Sequence, residues 1–159
     1  MALQFSAATL AKYHEILVRY PERQAALLPT LWLAQHEFGW LSHEALNYVA
    51  DLMQLPAARV AGVASFYTMY YKQPVGKYHL QVCRTLSCAL RGAGDITACL
   101  EKRLGIKTGE TTPNGRFTLS EVECLASCGT APMLQLNDDY VENLTVEKTL
   151  AMVDKLEKE

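Results

Sequence analysis

The chain has 159 residues, half of them hydrophobic and a fifth charged, with a formal net charge of −2. That suits a globular protein of one ordinary domain or two small ones, and it announces no basic face for nucleic acid. No apolar run is long enough to cross a bilayer, residues 25–34 being short and interrupted by Pro29 and Thr30. The first twenty residues show neither a secretory signal pattern nor an arginine-rich presequence, so a cytoplasmic location in a bacterium is the simplest reading.

The pattern is helical up to about residue 77. Leu10, Tyr13 and Leu17 recur at helical spacing, with Ser6 as cap and Pro21 as stop. Residues 22–38 place Leu27, Leu31 and Ala34 on one side, and Gly39 ends the run. Pro29 inside it removes a backbone donor and is expected to kink the helix or split it. Residues 42–53 make a third helix capped by Ser42, with Ala45, Val49 and Leu52 facing inward. Pro56 opens a fourth through about Val63. From residue 77 strands appear: 78–82, then a helix over 95–104 stopped by Gly105, and a polar turn region over 107–116. A strand over 117–122 and a hairpin of 133–136 and 140–142 around Asn137-Asp138-Asp139 follow. Thr145 caps a last helix over 146–156. The order suits a thioredoxin-like α/β layout.

Five cysteines in a reducing compartment point to metal or redox chemistry rather than structural disulfides. Cys83 and Cys88 enclose four residues, Cys124 and Cys128 enclose three, and each pair follows an expected strand. Loops at the same ends of neighbouring strands can bring four thiolates together. A structural zinc site usually uses hairpin knuckles with two to four residues between ligands, so zinc stays open. A [2Fe–2S] cluster takes two thiolates per iron over a wider footprint, which suits wider loops. A disulfide oxidoreductase also stays open, although such motifs enclose two residues. Ser87, Cys88 and Gly129 are expected to offer backbone N–H groups to cluster sulfurs, with Gly129 allowing close backbone approach. Arg84 and Arg91 are read either as offsetting thiolate charge or as solvated surface.

The run VCRTLSCALRGA, followed by ECLASCGTAPMLQLNDDYVENL, resembles the family of 24-kDa-type subunits of NADH:quinone oxidoreductase, respiratory complex I (the E subunit in bacteria). GVASFYTMY and HEFGWLS in the helical half match that family as well. The resemblance covers nearly the whole chain. It implies an N-terminal helical domain over 1–77 and a thioredoxin-like [2Fe–2S] ferredoxin domain over 78–159. The family's four cluster ligands fall on Cys83, Cys88, Cys124 and Cys128. The implied partner is the NADH-binding flavoprotein subunit (51-kDa type, the F subunit in bacteria), which carries FMN, alongside other peripheral-arm subunits. NADH and FMN would belong to that partner. This chain would be an electron carrier without catalytic residues of its own, peripheral to the inner face of the bacterial plasma membrane. The same diaphorase module serves NAD-linked hydrogenases and formate dehydrogenases, which the sequence does not separate. A zinc-bound or disulfide-exchanging thioredoxin-like module is the alternative of another class.

The remaining features read as structure. Cys99 sits on an apolar helical stripe with Ile96 and Leu100, which makes it a core residue rather than a fifth ligand. Gly92 and Gly94 mimic a dinucleotide fingerprint, but their loop already carries Cys83 and Cys88, and they read as relief for a crowded loop. His14, His36, His43 and His79 lack ligand spacing. Phe66, Tyr67 and Tyr70 form an aromatic cluster for packing or partner contact. Asp138, Asp139 and Glu142 read as a solvated turn.

Overall fold

Ser6 accepts a hydrogen bond from the Thr9 N–H and so begins helix α1 (Ala7–Leu17) in the computed structural model, which describes residues 3–159. The run around Pro29 does divide, but before the proline: a 3-10 turn, Arg23–Ala26, leads into α2 (Leu27–Phe38). Pro29 therefore occupies the first turn of α2, where its missing N–H has no intrahelical partner to lose. Gly39, at φ +81°, ends the helix. Ser42 accepts from the Ala45 N–H and starts α3 (His43–Met53). Helix α4 (Ala57–Phe66) follows Pro56 and runs three residues past the expected end. The core of this unit holds Tyr13, Leu27, Leu31, Ala34, Val49, Met53, Val60 and Tyr70. Leu52, expected inward, is only half-buried, and Met53 takes that place in the core.

This helical unit ends at Pro74, and a second unit begins at Val75. The second contains β1 (Tyr78–Cys83), α5 (Leu86–Leu90), α6 (Ala93–Leu104), β2 (Phe117–Val122), β3 (Leu134–Leu136), β4 (Asp139–Val141) and α7 (Val146–Lys158). Every residue of β1 is buried, as expected of a central strand covered on both faces. The sheet order is β2-β1-β3-β4. Strands β1 and β2 are parallel, in register from Tyr78 opposite Phe117 to Cys83 opposite Val122, while β3 pairs antiparallel with β1 and β4 antiparallel with β3. The parallel pairing puts the chain exits after Cys83 and after Val122 at one end of the sheet. Leu80, Leu119, Ile96, Leu100, Met133, Leu134 and Val153 fill the core. Among the described residues, no helix is long and apolar enough to cross a membrane.

Candidate metal centre

Cys83 is the last residue of β1. Its N–H donates to the Met133 carbonyl at 3.2 Å, and the next N–H, of Arg84, donates to the Val122 carbonyl at 3.0 Å. The chain is thus stitched to both neighbouring strands as it leaves the sheet. Thr85 stands at the N-cap of α5, yet its hydroxyl makes no capping bond. Instead it lies 3.3 Å from Cys83 Sγ and helps hold the Cys124 thiol low. The short α5 then buries Cys88, which is as enclosed as Cys83, at 2% exposure each.

The second pair is built on irregular backbone. Cys124 and Cys128 are exposed, with their sulfurs 3.9 Å apart. That is nearly twice a disulfide length of about 2.05 Å. The Ala126 N–H donates to Cys124 Sγ at 3.3 Å, from a left-handed backbone at φ +61°. Cys128 opens a 3-10 turn, Cys128–Thr130. The hydroxyls of Ser127 and Thr130 both donate to Glu142, Thr130 at 2.6 Å. The Tyr140 hydroxyl donates to the Leu125 carbonyl at 2.7 Å. The Ala131–Pro132 peptide is cis, and the Met133 N–H just beyond it favours the Cys88 thiolate, against the larger effect of burial. Arg84 and Glu123, 2.6 Å apart and both exposed, tie the two loops together.

The thiols sense one another across the pairs. Burial pushes Cys83 up, but the Thr85 hydroxyl, the N–H groups of Leu125 and Thr85, and the Cys88 thiol outweigh it, so Cys83 ionises more readily than an ordinary thiol. Burial raises Cys88, and the neighbouring Cys83 thiol raises it further, as does the charge of Cys128. The Ala126 N–H holds Cys124 low, helped by the Thr85 hydroxyl and Cys128. Such thiolate-favouring donors are what a metal-ligand set needs. Among the described residues, no group of three or more His, Cys, Asp or Glu converges where one metal ion could sit. The thiols stand as two pairs, and N–H and O–H groups are aimed at three of the four sulfurs. That donor set fits a dinuclear cluster with two thiolates for each iron.

Other residues singled out in the sequence fall only partly as expected. Cys99 packs half-buried against the core from α6, as its apolar stripe predicted, donates to the Ile96 carbonyl at 3.1 Å, and is raised by burial first and then by Asp95. A Cβ added at Gly129 would meet no atom of this chain, so no close packing within the chain requires that glycine. Gly92 has a role different from the expected relief of crowding: at φ +92° it is the N-cap of α6. Thr85, Leu125, Ala126 and Met133 supply the groups that favour the thiolates of Cys83, Cys88 and Cys124. Arg84 is paired with Glu123. Glu142, read as part of a solvated turn, holds the Cys128 turn instead. Of the aromatic cluster, Tyr70 is buried in the helical core while Phe66 is exposed.

The sheet order, the flanking helices and the thiols at the exits of two parallel strands define a thioredoxin-like protein with two pairs of thiols at one end of its sheet. A family model described as thioredoxin-like [2Fe–2S] ferredoxin matches residues 13–157. The chain is 47% identical to the E subunit of the NADH-quinone oxidoreductase of Rickettsia conorii, over 98% of this chain and 95% of that one. It is 44% identical to the mitochondrial NADH dehydrogenase [ubiquinone] flavoprotein 2 of Dictyostelium discoideum, over 96% of this chain and 63% of that one. An NAD+-reducing [NiFe]-hydrogenase crystal structure matches the fold with a TM-score of 0.74 at 22% identity, over 87% of this chain. This chain spans 24% of the length of that hydrogenase chain. The chain belongs to the thioredoxin-like [2Fe–2S] ferredoxin family.

Proposed function

We propose that this chain is the electron-transfer subunit of an NADH:quinone oxidoreductase, holding one [2Fe–2S] cluster on Cys83, Cys88, Cys124 and Cys128. The observation that carries this reading is the pairing of buried Cys83 and Cys88 with exposed Cys124 and Cys128 at one end of parallel strands. When bound, such a cluster takes up and gives back one electron at a time. The protein's part is to present four thiolates, aim N–H and O–H donors at their sulfurs, and keep water from the buried pair. Donors from Thr85, Leu125, Ala126 and Met133 offset thiolate charge. Leu86 and Leu90 stand exposed four residues apart on α5, the helix that carries Cys88. That apolar face beside the thiols supports a partner at this edge. The partner is the NADH-binding flavoprotein subunit, and NADH and FMN reside there. The assembly sits at the cytoplasmic face of the plasma membrane. Relatives at 44–47% identity favour quinone reductase over hydrogenase, whose likeness at 22% identity speaks to fold alone.

Anaerobically isolated chain is expected to be red-brown, with iron and acid-labile sulfide in equal amounts. Its visible absorption should bleach with dithionite, and NADH should reduce it only in the presence of the flavoprotein subunit. A colourless protein holding stoichiometric zinc would overturn the cluster reading. Co-purification from native membranes with hydrogenase subunits would overturn the choice of parent complex.

A further inference from the structure

Tyr140 is no ligand, yet it is joined to one through a single peptide unit. Its hydroxyl donates to the Leu125 carbonyl oxygen at 2.7 Å. The other end of that same peptide is the Ala126 N–H, which donates to Cys124 Sγ at 3.3 Å. The Leu125–Ala126 amide is planar and conjugated, so its two ends are electronically linked. A donor on the oxygen draws charge toward it and makes the N–H a stronger donor, as in any chain of hydrogen bonds. Ala126 sits at φ +61°, a region that residues bearing a Cβ seldom enter. The Tyr140 bond therefore also holds the peptide in the orientation that aims its N–H at the sulfur.

We propose that Tyr140 is a positioning residue that raises the reduction potential of the centre by polarising the Leu125–Ala126 peptide against Cys124. This rests on the cluster reading above. Reduction adds one negative charge to a thiolate-bound cluster, and donors to its sulfurs stabilise that charge, raising the potential. Weakening the Ala126 donor lowers it. Opening the site to water has the opposite sign, because added solvent stabilises the more highly charged reduced form. The sign of the change therefore separates tuning from a merely structural role.

The test is an EPR-monitored redox titration of holoprotein, with iron and sulfide counted in each sample. Tyr140→Phe is expected to keep full iron and to lower the equilibrium constant for one-electron reduction about threefold. That is about 28 mV at 59 mV per tenfold. Site-specific 3,5-difluorotyrosine at position 140 has a more acidic hydroxyl. Kept below its own pKa, it should shift the potential upward. An unchanged or raised potential in fully loaded Tyr140→Phe overturns the inference, as does no upward shift with difluorotyrosine. The second variant decides if the first loses iron. A wild-type protein without iron and sulfide would instead refute the cluster reading on which this stands.

Discussion

The two cysteine loops leave one end of the same sheet, but they are held by different means. Cys83 and Cys88 belong to the hydrophobic core, one ending a buried strand and the other inside a short helix. Cys124 and Cys128 are exposed and sit on backbone that belongs to no sheet ladder. Side chains hold that second loop: Tyr140 on Leu125, and Glu142 on Ser127 and Thr130. Backbone adds the Asn143 N–H on the Thr130 carbonyl at 2.8 Å. Regular structure thus presets one pair, while hydrogen bonds from β4 and the turn after it arrange the other. The first pair should keep its place in apoprotein, and the second should depend on its clamps.

Removing one thiol from each pair tests the contrast most severely. Cys88→Ala and Cys128→Ala should both lose most of the iron and sulfide. Cys88→Ala should also cost the apoprotein about 1 kcal/mol, because it removes a buried group of methylene size from the core. Cys128→Ala should leave apoprotein stability within about 0.5 kcal/mol, as an exposed substitution does. Cys99→Ala should keep the full iron and sulfide content. Metal and sulfide counts with urea melts of the apoproteins read all three. Full iron in Cys128→Ala would remove that residue from the ligand set, and equal stability losses in the two pair variants would erase the contrast.

Acid should act through the strand side. His79 lies in β1, buried, with its Nε2 2.8 Å from the Ser120 hydroxyl on β2. Burial pulls its pKa down to about 4 from 6.5. The unfolded chain therefore binds this proton first as pH falls, while the folded chain resists it until about pH 4. The stability that neutral His79 allows is intact above about pH 6.5 and is lost between there and about pH 4, up to about 3 kcal/mol. Urea midpoints at neutral pH and near pH 4.5 should differ less in His79→Gln than in wild type. Identical pH dependence in the two would show that His79 titrates normally in the fold.

What was legible in the sequence follows the same division. Caps and periodicity marked the helices: Ser6, Ser42 and Thr145 each accept the bond that begins their helix. Hydrophobic runs marked β1 and β2, and the cysteine gaps marked the two loops. Helix α5 escaped because five residues are too few for a hydrophobic period, and two of them, Leu86 and Leu90, face outward. Ala126 escaped because nothing about an alanine announces a left-handed backbone. Tyr140 and Glu142 escaped because hydrogen bonds joining residues twelve or fifteen positions apart have no spacing rule, and Thr85 because the helix it caps was not foreseen. An expected solvated turn, at Glu142, and an unforeseen helix cap, at Thr85, turned out to serve the thiols, which only the folded chain brings within reach.

The gentlest test of the contrast is on Glu142. Hydrogen bonds from Ser127 and then Thr130 hold its carboxyl below the ordinary range, so it is ionised and accepting at neutral pH. In Glu142→Ala the hydroxyls turn to water, and global unfolding should barely respond because the group is exposed. The turn that begins at Cys128 gains freedom, so iron release to a chelator should speed several-fold at neutral pH. Glu147→Ala, in the first turn of α7, should leave the release rate unchanged. A carboxyl with a lowered folded pKa keeps its clamp above the unfolded value and loses it as pH falls through the lowered one. Wild-type release should therefore approach that of the variant only in acid. Equal release rates at neutral pH would mean that backbone alone holds the second loop, and then the two loops would differ in exposure but not in what keeps them in place.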